Sequence, residues 1–161
     1  MSKNQEIRKE LSQTDQARQA RLSVLAKAPA TRLTTLWHGW CDHAGEPAHE
    51  VLRPPEIGTV MVRGRAGAVG APFNLGEITV TRCSVRLPSG HVGHGYVQGR
   101  DKQASLAAAL VDALAQAGHA ETMDEAIIEP LAMESQAHLA ARAAKAAATK
   151  VDFFTMVRGD N

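Results

Sequence analysis

The chain has 161 residues, of which 44% are hydrophobic and 22% charged, with a formal net charge of +1. At roughly 100–200 residues per domain, these values give a single globular domain over 1–161 and exclude a disordered or fibrous chain. The near-neutral balance argues against a protein that coats DNA, and the 4% aromatic content argues against a stacking platform for single strands.

The first ten residues, Met1 to Glu10, lack the apolar core of a secretory signal. The longest clean apolar run, Leu106 to Val111, falls far short of the ~20 residues a spanning helix needs. Cys41 and Cys83 are too few for a disulfide framework, so a reducing, cytoplasmic setting is expected. Of 28 Ala, 18 lie between Ala104 and Ala148, whereas the chain has only three Phe, two Trp and one Tyr. That half must pack through small side chains at close range rather than through large anchors.

In chain order, Ser12-Gln-Thr-Asp15 reads as a helix start, with residues 1–15 as a frayed arm. Gln16 to Ala28 reads as a helix with Ala17, Ala20, Val24, Leu25 and Ala28 on one side. After Pro29, a second helix over Thr31–Trp40 places Leu33, Leu36, Trp37 and Trp40 at spacings of three and four. Asp42 to Ala48 reads as a loop. His49–Arg53 is expected as a short strand ending at Pro54-Pro55, followed by strands over Thr59–Arg65, Glu77–Leu87 and His91–Gly99. Pro88-Ser-Gly90 closes the last two as a hairpin. From Asp101 the pattern turns helical, with Asp101, Ser105, Ala108, Asp112 and Gln116 as a polar stripe and Gly118 as its C-terminal stop. Thr122-Met-Asp-Glu125 has the capping-box pattern, and Leu131–Thr149 is an Ala-rich helix after Pro130. The tail Val151-Asp-Phe-Phe-Thr-Met-Val157 is too apolar for a frayed end and should dock, as an edge strand or in a partner's groove. The fold class is therefore α+β: an antiparallel sheet of about four to five strands, flanked by N-terminal helices and Ala-rich C-terminal helices.

The small net charge hides an asymmetry. Residues 51–102 carry seven Lys/Arg against three Asp/Glu, and residues 103–161 carry four against eight. Six of the seven central cations are arginines, whose planar fork suits carboxylates and phosphates. The two segments should face each other or face solvent. The alternative is an autonomous nucleotide- or phosphate-binding enzyme built on the central arginines.

Four clusters invite chemistry. Trp37-His38-Gly-Trp-Cys41-Asp42-His43 offers zinc-type ligands but no paired, regular spacing, so no metal site is expected there. Gly64, Gly67, Gly70 and Gly76 form a glycine-rich connection without the Lys-Ser/Thr ending of a P-loop. His91 and His94 sit at the hairpin turn and read as exposed turn residues. Tyr96-Val-Gln-Gly-Arg-Asp-Lys102 places Arg100 and Lys102 at a strand-to-helix junction, where helix amides favour anions; the simpler reading is that Asp101 caps its own helix. No Ser-His-Asp order, nucleophile elbow or paired-acid pattern stands out.

Residues 96–102, Tyr-Val-Gln-Gly-Arg-Asp-Lys, and residues 150–160, Lys-Val-Asp-Phe-Phe-Thr-Met-Val-Arg-Gly-Asp, resemble the PhnG family, the G subunit of the bacterial carbon–phosphorus lyase core. Thr81-Arg82 through Val85-Arg86-Leu87 and Gly90 fit the same family, and the resemblance spans about 16–161. The resemblance implies a structural or accessory subunit in phosphonate catabolism. Its partners would be the H, I and J subunits, functionally also the L subunit, with two copies per complex. With those partners it would support transfer of the ribose triphosphate moiety of MgATP to a phosphonate, releasing adenine. MgATP would be a substrate of the complex, and no cofactor is expected on this subunit. The resemblance supplies no catalytic residue; Arg100, Lys102, Asp152, Phe153, Phe154 and Arg158 stand as interface or phosphate-contact candidates.

Overall fold

The structure, a computed structural model, describes residues 13–67 and 70–149. It opens with two helices, α1 (Gln13–Lys27) and α2 (Ala30–Ala44), separated at Pro29. Proline has no N–H to continue α1, and its own carbonyl starts α2 by accepting the Arg32 and Leu33 N–H groups, both at 3.0 Å. α2 runs past Trp40 to Ala44, so Asp42 and His43 are helical rather than in the expected loop. It stops at Gly45, where φ is 81° and the Gly45 N–H reaches the Cys41 carbonyl at 2.8 Å. Leu33 and Trp37, one turn apart, are its buried residues, and Trp40 stacks on Trp37 with ring centroids 5.3 Å apart.

The sheet is antiparallel in the order β1 (Glu50–Arg65), β2 (Pro72–Arg86), β3 (Val92–Gln98). Among the described residues it has three strands, not four to five. The segments expected as two strands, His49–Arg53 and Thr59–Arg65, are one continuous strand. Pro54 and Pro55 do not end it because β1 is an edge strand, and the ladder loses register there anyway: Arg53 faces Ser84 while Glu56 faces Arg82. A further strand expected in the tail lies outside the described residues. The β2–β3 turn is the predicted one, with Gly90 at φ 88° and its N–H on the Leu87 carbonyl at 2.8 Å.

β3 is only seven residues long and pairs with Val80–Arg86 alone. Beyond Thr79, β1 and β2 continue as a two-stranded ribbon.

α3 (Lys102–Leu114) lies on one face of the sheet and is the centre of the core. Asp101 caps it, accepting the Ala104 N–H at 2.8 Å. The stripe expected to be its polar side is in fact buried: Ser105 is 0% and Asp112 2% exposed. The sequence of β3 explains this. Gly93 and Gly95 face α3 so closely that a Cβ on Gly93 would lie 2.0 Å from the Ala109 carbonyl oxygen, and one on Gly95 1.9 Å from that of Ser105. Two glycines on the strand and small residues on the helix let backbone meet backbone, and Ser105 and Asp112 face the strand. On its other sides α3 meets Leu25 of α1 and Leu33 and Trp37 of α2 in a single apolar cluster with Cys83, Val85, Leu87 and Val97 of the sheet.

The helical path kinks at Gly118, where φ is 100°. It continues through α4 (Ala120–Met123) and α5 (Glu129–Ala148), joined by one wide helical turn over Asp124–Ile128. Thr122 therefore lies inside a helix that began at Ala120 and is not the expected cap. Pro130 does not interrupt: it falls in the first turn of α5, and the wide turn before it accommodates its missing N–H. Met123, Ile127, Ile128 and Leu131 join the core, and from Met133 to Thr149 every residue is exposed.

Candidate functional site

The body is fastened by arginine–carboxylate forks that sequence reasoning missed. Arg18 of α1 donates from Nε to Asp112 Oδ1 at 2.9 Å and from Nη2 to Oδ2 at 2.8 Å. Asp112 Oδ2 also accepts the backbone N–H of His94 at 2.9 Å. One buried carboxylate thus joins α1, α3 and β3. Gln116 adds a link between α3 and β3, its Nε2 donating to the Val92 carbonyl at 2.8 Å. Arg21 forks onto Asp124 at 2.6 and 2.8 Å, and Arg32 donates to Glu134 at 2.8 Å. Hydrogen bonding to these carboxylates raises the pKa of Arg18 and of Arg21, against a lowering by burial. Three acidic residues of the C-terminal half, Asp112, Asp124 and Glu134, are thus paired with the N-terminal helices, and among the described residues no ion pair joins that half to the basic central segment. The signal was available: Arg18 and Arg21 share a helix face, and Asp112 interrupts an otherwise apolar run.

The central arginines are spread out. Arg82 donates to Glu56 at 3.1 Å and Arg86 lies 3.8 Å from Glu50, both pairs exposed on the sheet. Arg63 and Arg65 stand at the far end of the ribbon, opposite Asn74 and Pro72. Glu56 and Arg63 are seven positions apart on β1, about 23 Å at ~3.3 Å per residue, so the two sets of arginines stand at separate places along the strand. Arg100 and Lys102 are exposed on either side of Asp101 and form no ion pair among the described residues. Asp152, Phe153, Phe154 and Arg158 lie outside the described residues.

The other candidate clusters resolve into local structure. Cys41 lies against the core, His43 Nδ1 sits 2.8 Å from the Gly39 carbonyl within α2, and His38 is exposed. His94 Nδ1 lies 3.0 Å from Ser84 Oγ on the open sheet face, and His91 Nδ1 lies 3.0 Å from Ser89 Oγ in the turn, so the two histidines have separate partners. Among the described residues no group of three or more His, Cys, Asp or Glu could hold a metal ion. Cys83 is buried and its thiol reaches the Arg53 carbonyl at 3.4 Å. Burial pushes the thiols of both Cys83 and Cys41 above their ordinary pKa. A groove of about 620 Å³ runs between α1 and α5, with Val24, Ala28 and Leu131 in its lining and Lys27, Glu134 and His138 among its polar groups.

What stands out is surface rather than a catalytic cleft. The ribbon exposes Ile57, Met61, Phe73 and Leu75, the last at 66%, and α5 exposes Met133 and Leu139. Large apolar side chains thus stand exposed on both elements.

Residues 16–159 match the family model described as phosphonate metabolism protein PhnG. The chain belongs to the PhnG family. It is 44% identical over 140 residues to the alpha-D-ribose 1-methylphosphonate 5-triphosphate synthase subunit PhnG of Rhizobium meliloti (strain 1021), covering 87% of this chain and 88% of that protein. The PhnG match takes in the whole ribbon and the whole of α5, so both projections lie within the family's domain and not outside it. As a PhnG family member, the chain has a subunit role in phosphonate metabolism. Among its described residues no helix is long and apolar enough to cross a membrane.

Proposed function

We propose that this chain is a structural and accessory subunit of a cytoplasmic carbon–phosphorus lyase core, acting as one domain with H, I and J partner subunits and functionally with L, in two copies per complex. The assembly transfers the ribose triphosphate moiety of MgATP to a phosphonate: a phosphonate oxygen bonds to the ribose C1 carbon as the bond from that carbon to adenine breaks, and adenine leaves. The chain itself binds no cofactor and has no such activity alone. Arg100, Lys102, Asp152, Phe153, Phe154 and Arg158 are the proposed interface or phosphate contacts.

The likeness over most of both chains to a relative named as a synthase subunit carries this reading. Two physical features support it. The polar groups buried in the body join its own elements, above all Asp112, which ties α1, α3 and β3 together. The apolar surface instead lies on projections, as in chains whose interfaces are permanent. The test is purification of a tagged chain from its native host under phosphate starvation. Stoichiometric partner subunits are expected, and deleting residues 151–161 should abolish recovery of the I subunit. A wild-type chain recovered alone would overturn the reading.

A further inference from the structure

The geometry points to the edge of β1 that no other described strand covers, Ile57–Arg65, as the place where an extended, acid-bearing segment of another polypeptide adds to the sheet. This rests on the subunit reading above and names one of its contact surfaces and the mode of contact.

An edge strand presents a row of backbone N–H and C=O groups to any passing strand, and proteins blunt such edges with proline, bulges or charge pointing into the sheet. The near half of β1 is blunted in this way: Pro54, Pro55 and two register breaks lie between Val51 and Glu56. The far half is not. Ile57-Gly-Thr-Val-Met-Val-Arg-Gly-Arg65 contains no proline, and its one irregularity, between Val62 and Arg63, adds the extra residue to β2. Here the sheet is only two strands wide, which is marginal in water without a further strand or layer.

The side chains state what should bind. From Glu56 onward β1 alternates regularly, so Ile57, Thr59, Met61, Arg63 and Arg65 share one face, and all five are exposed. That face carries two apolar side chains followed by two arginines. Neither arginine forms an ion pair among the described residues; Arg65 reaches only the Gly70 carbonyl, at 3.5 Å. A complementary strand would place apolar residues beside Ile57 and Met61 and carboxylates beside Arg63 and Arg65. Antiparallel pairing with β1 of a second copy does not fit. Two β1 strands so paired keep each residue on its own face, and Glu56 lies on the opposite face from both arginines, so no antiparallel register brings it beside them.

The test uses the complex recovered through a tag on the full chain, with amide hydrogen exchange read against the free chain. Amides of 57–65 should exchange at least about tenfold more slowly in the complex. The double reversal R63E/R65E, on exposed side chains that leave the core intact, should cut partner recovery roughly tenfold, and high salt should weaken the wild-type contact in the same sense. Unchanged exchange over 57–65 in an assembled complex would overturn the inference and leave the subunit reading standing. So would a free-chain dimer that protects the same amides, or wild-type recovery with R63E/R65E. Recovery of no partner at all by the wild-type chain would overturn both.

Discussion

Gly95→Ala isolates the contact on which the body depends. The added methyl would sit 1.9 Å from the Ser105 carbonyl oxygen, 2.9 Å from its carbon and 3.0 Å from the Ala109 nitrogen. All three are backbone atoms of α3, so no side chain can rotate away. Relief requires β3 and α3 to separate by about 1 Å, which already forfeits a quarter to a half of the dispersion energy along that seam. It also strains the Asp112 bond to the His94 N–H, which bridges the same two elements. Overpacking alone costs about 1–3 kcal/mol, offset by about 0.4–1 kcal/mol because alanine has less freedom than glycine in the unfolded chain. With the seam opened, the net loss should be about 3 kcal/mol, or about 6–12 °C in Tm for a chain of this size. Gly39→Ala is the internal control: Gly39 lies on the exposed side of α2 with nothing within 4 Å of a new methyl, so the same change should stabilise by about 0.5–1 kcal/mol. Urea denaturation of both variants reads the difference. A Gly95→Ala variant within about 1 kcal/mol of wild type would refute the backbone-to-backbone packing.

Other outcomes follow from the same structure. Asp112→Asn should cost about 2–3 kcal/mol, less than the 3–5 kcal/mol of a fully buried pair because Arg18 keeps 34% of its side-chain surface in water. Arg32→Ala, which breaks the exposed pair with Glu134, should cost no more than about 0.5 kcal/mol by the same denaturation assay. Cys83 should resist iodoacetamide at pH 8 in the folded chain and react once urea unfolds it, because its folded pKa lies above its unfolded value. By linkage, the stability this thiol contributes is fully present below the unfolded pKa and is lost as pH rises through the folded one, so unfolding free energy should decline on the alkaline side of about pH 8.5. A Cys83 that alkylates at the same rate folded and unfolded would contradict its burial.

Much of the fold could be read from local signals. Pro29, Gly90, Asp101 and Gly118 each fix a boundary or a kink through a missing N–H, a left-handed φ or a cap, and none of these needs tertiary context. The misreadings came where tertiary context decides. Pro54-Pro55 looks like a strand end until β1 is known to be an edge. Thr122-Met-Asp-Glu125 looks like a helix start, although the helix already runs from Ala120. The stripe of Ser105, Ala108 and Asp112 looks like a solvent face because polarity alone cannot reveal two glycines waiting across the interface. The same blind spot hid Arg18 with Asp112 and Arg21 with Asp124, partners separated by 94 and 103 positions in the chain. Of the interface candidates, Arg100 and Lys102 are exposed. The length of the ribbon was obscured because Gly64 and Gly76, read as part of a glycine-rich connection, lie within β1 and β2.

The most direct test of the account is adenine release from MgATP in the presence of methylphosphonate, measured with the purified chain alone, with the partner subunits alone and with the full set. The account predicts no release in either partial mixture and release in the complete one. Release by the chain alone, or full release without it, would contradict the claim that it is a required subunit and not an enzyme in its own right.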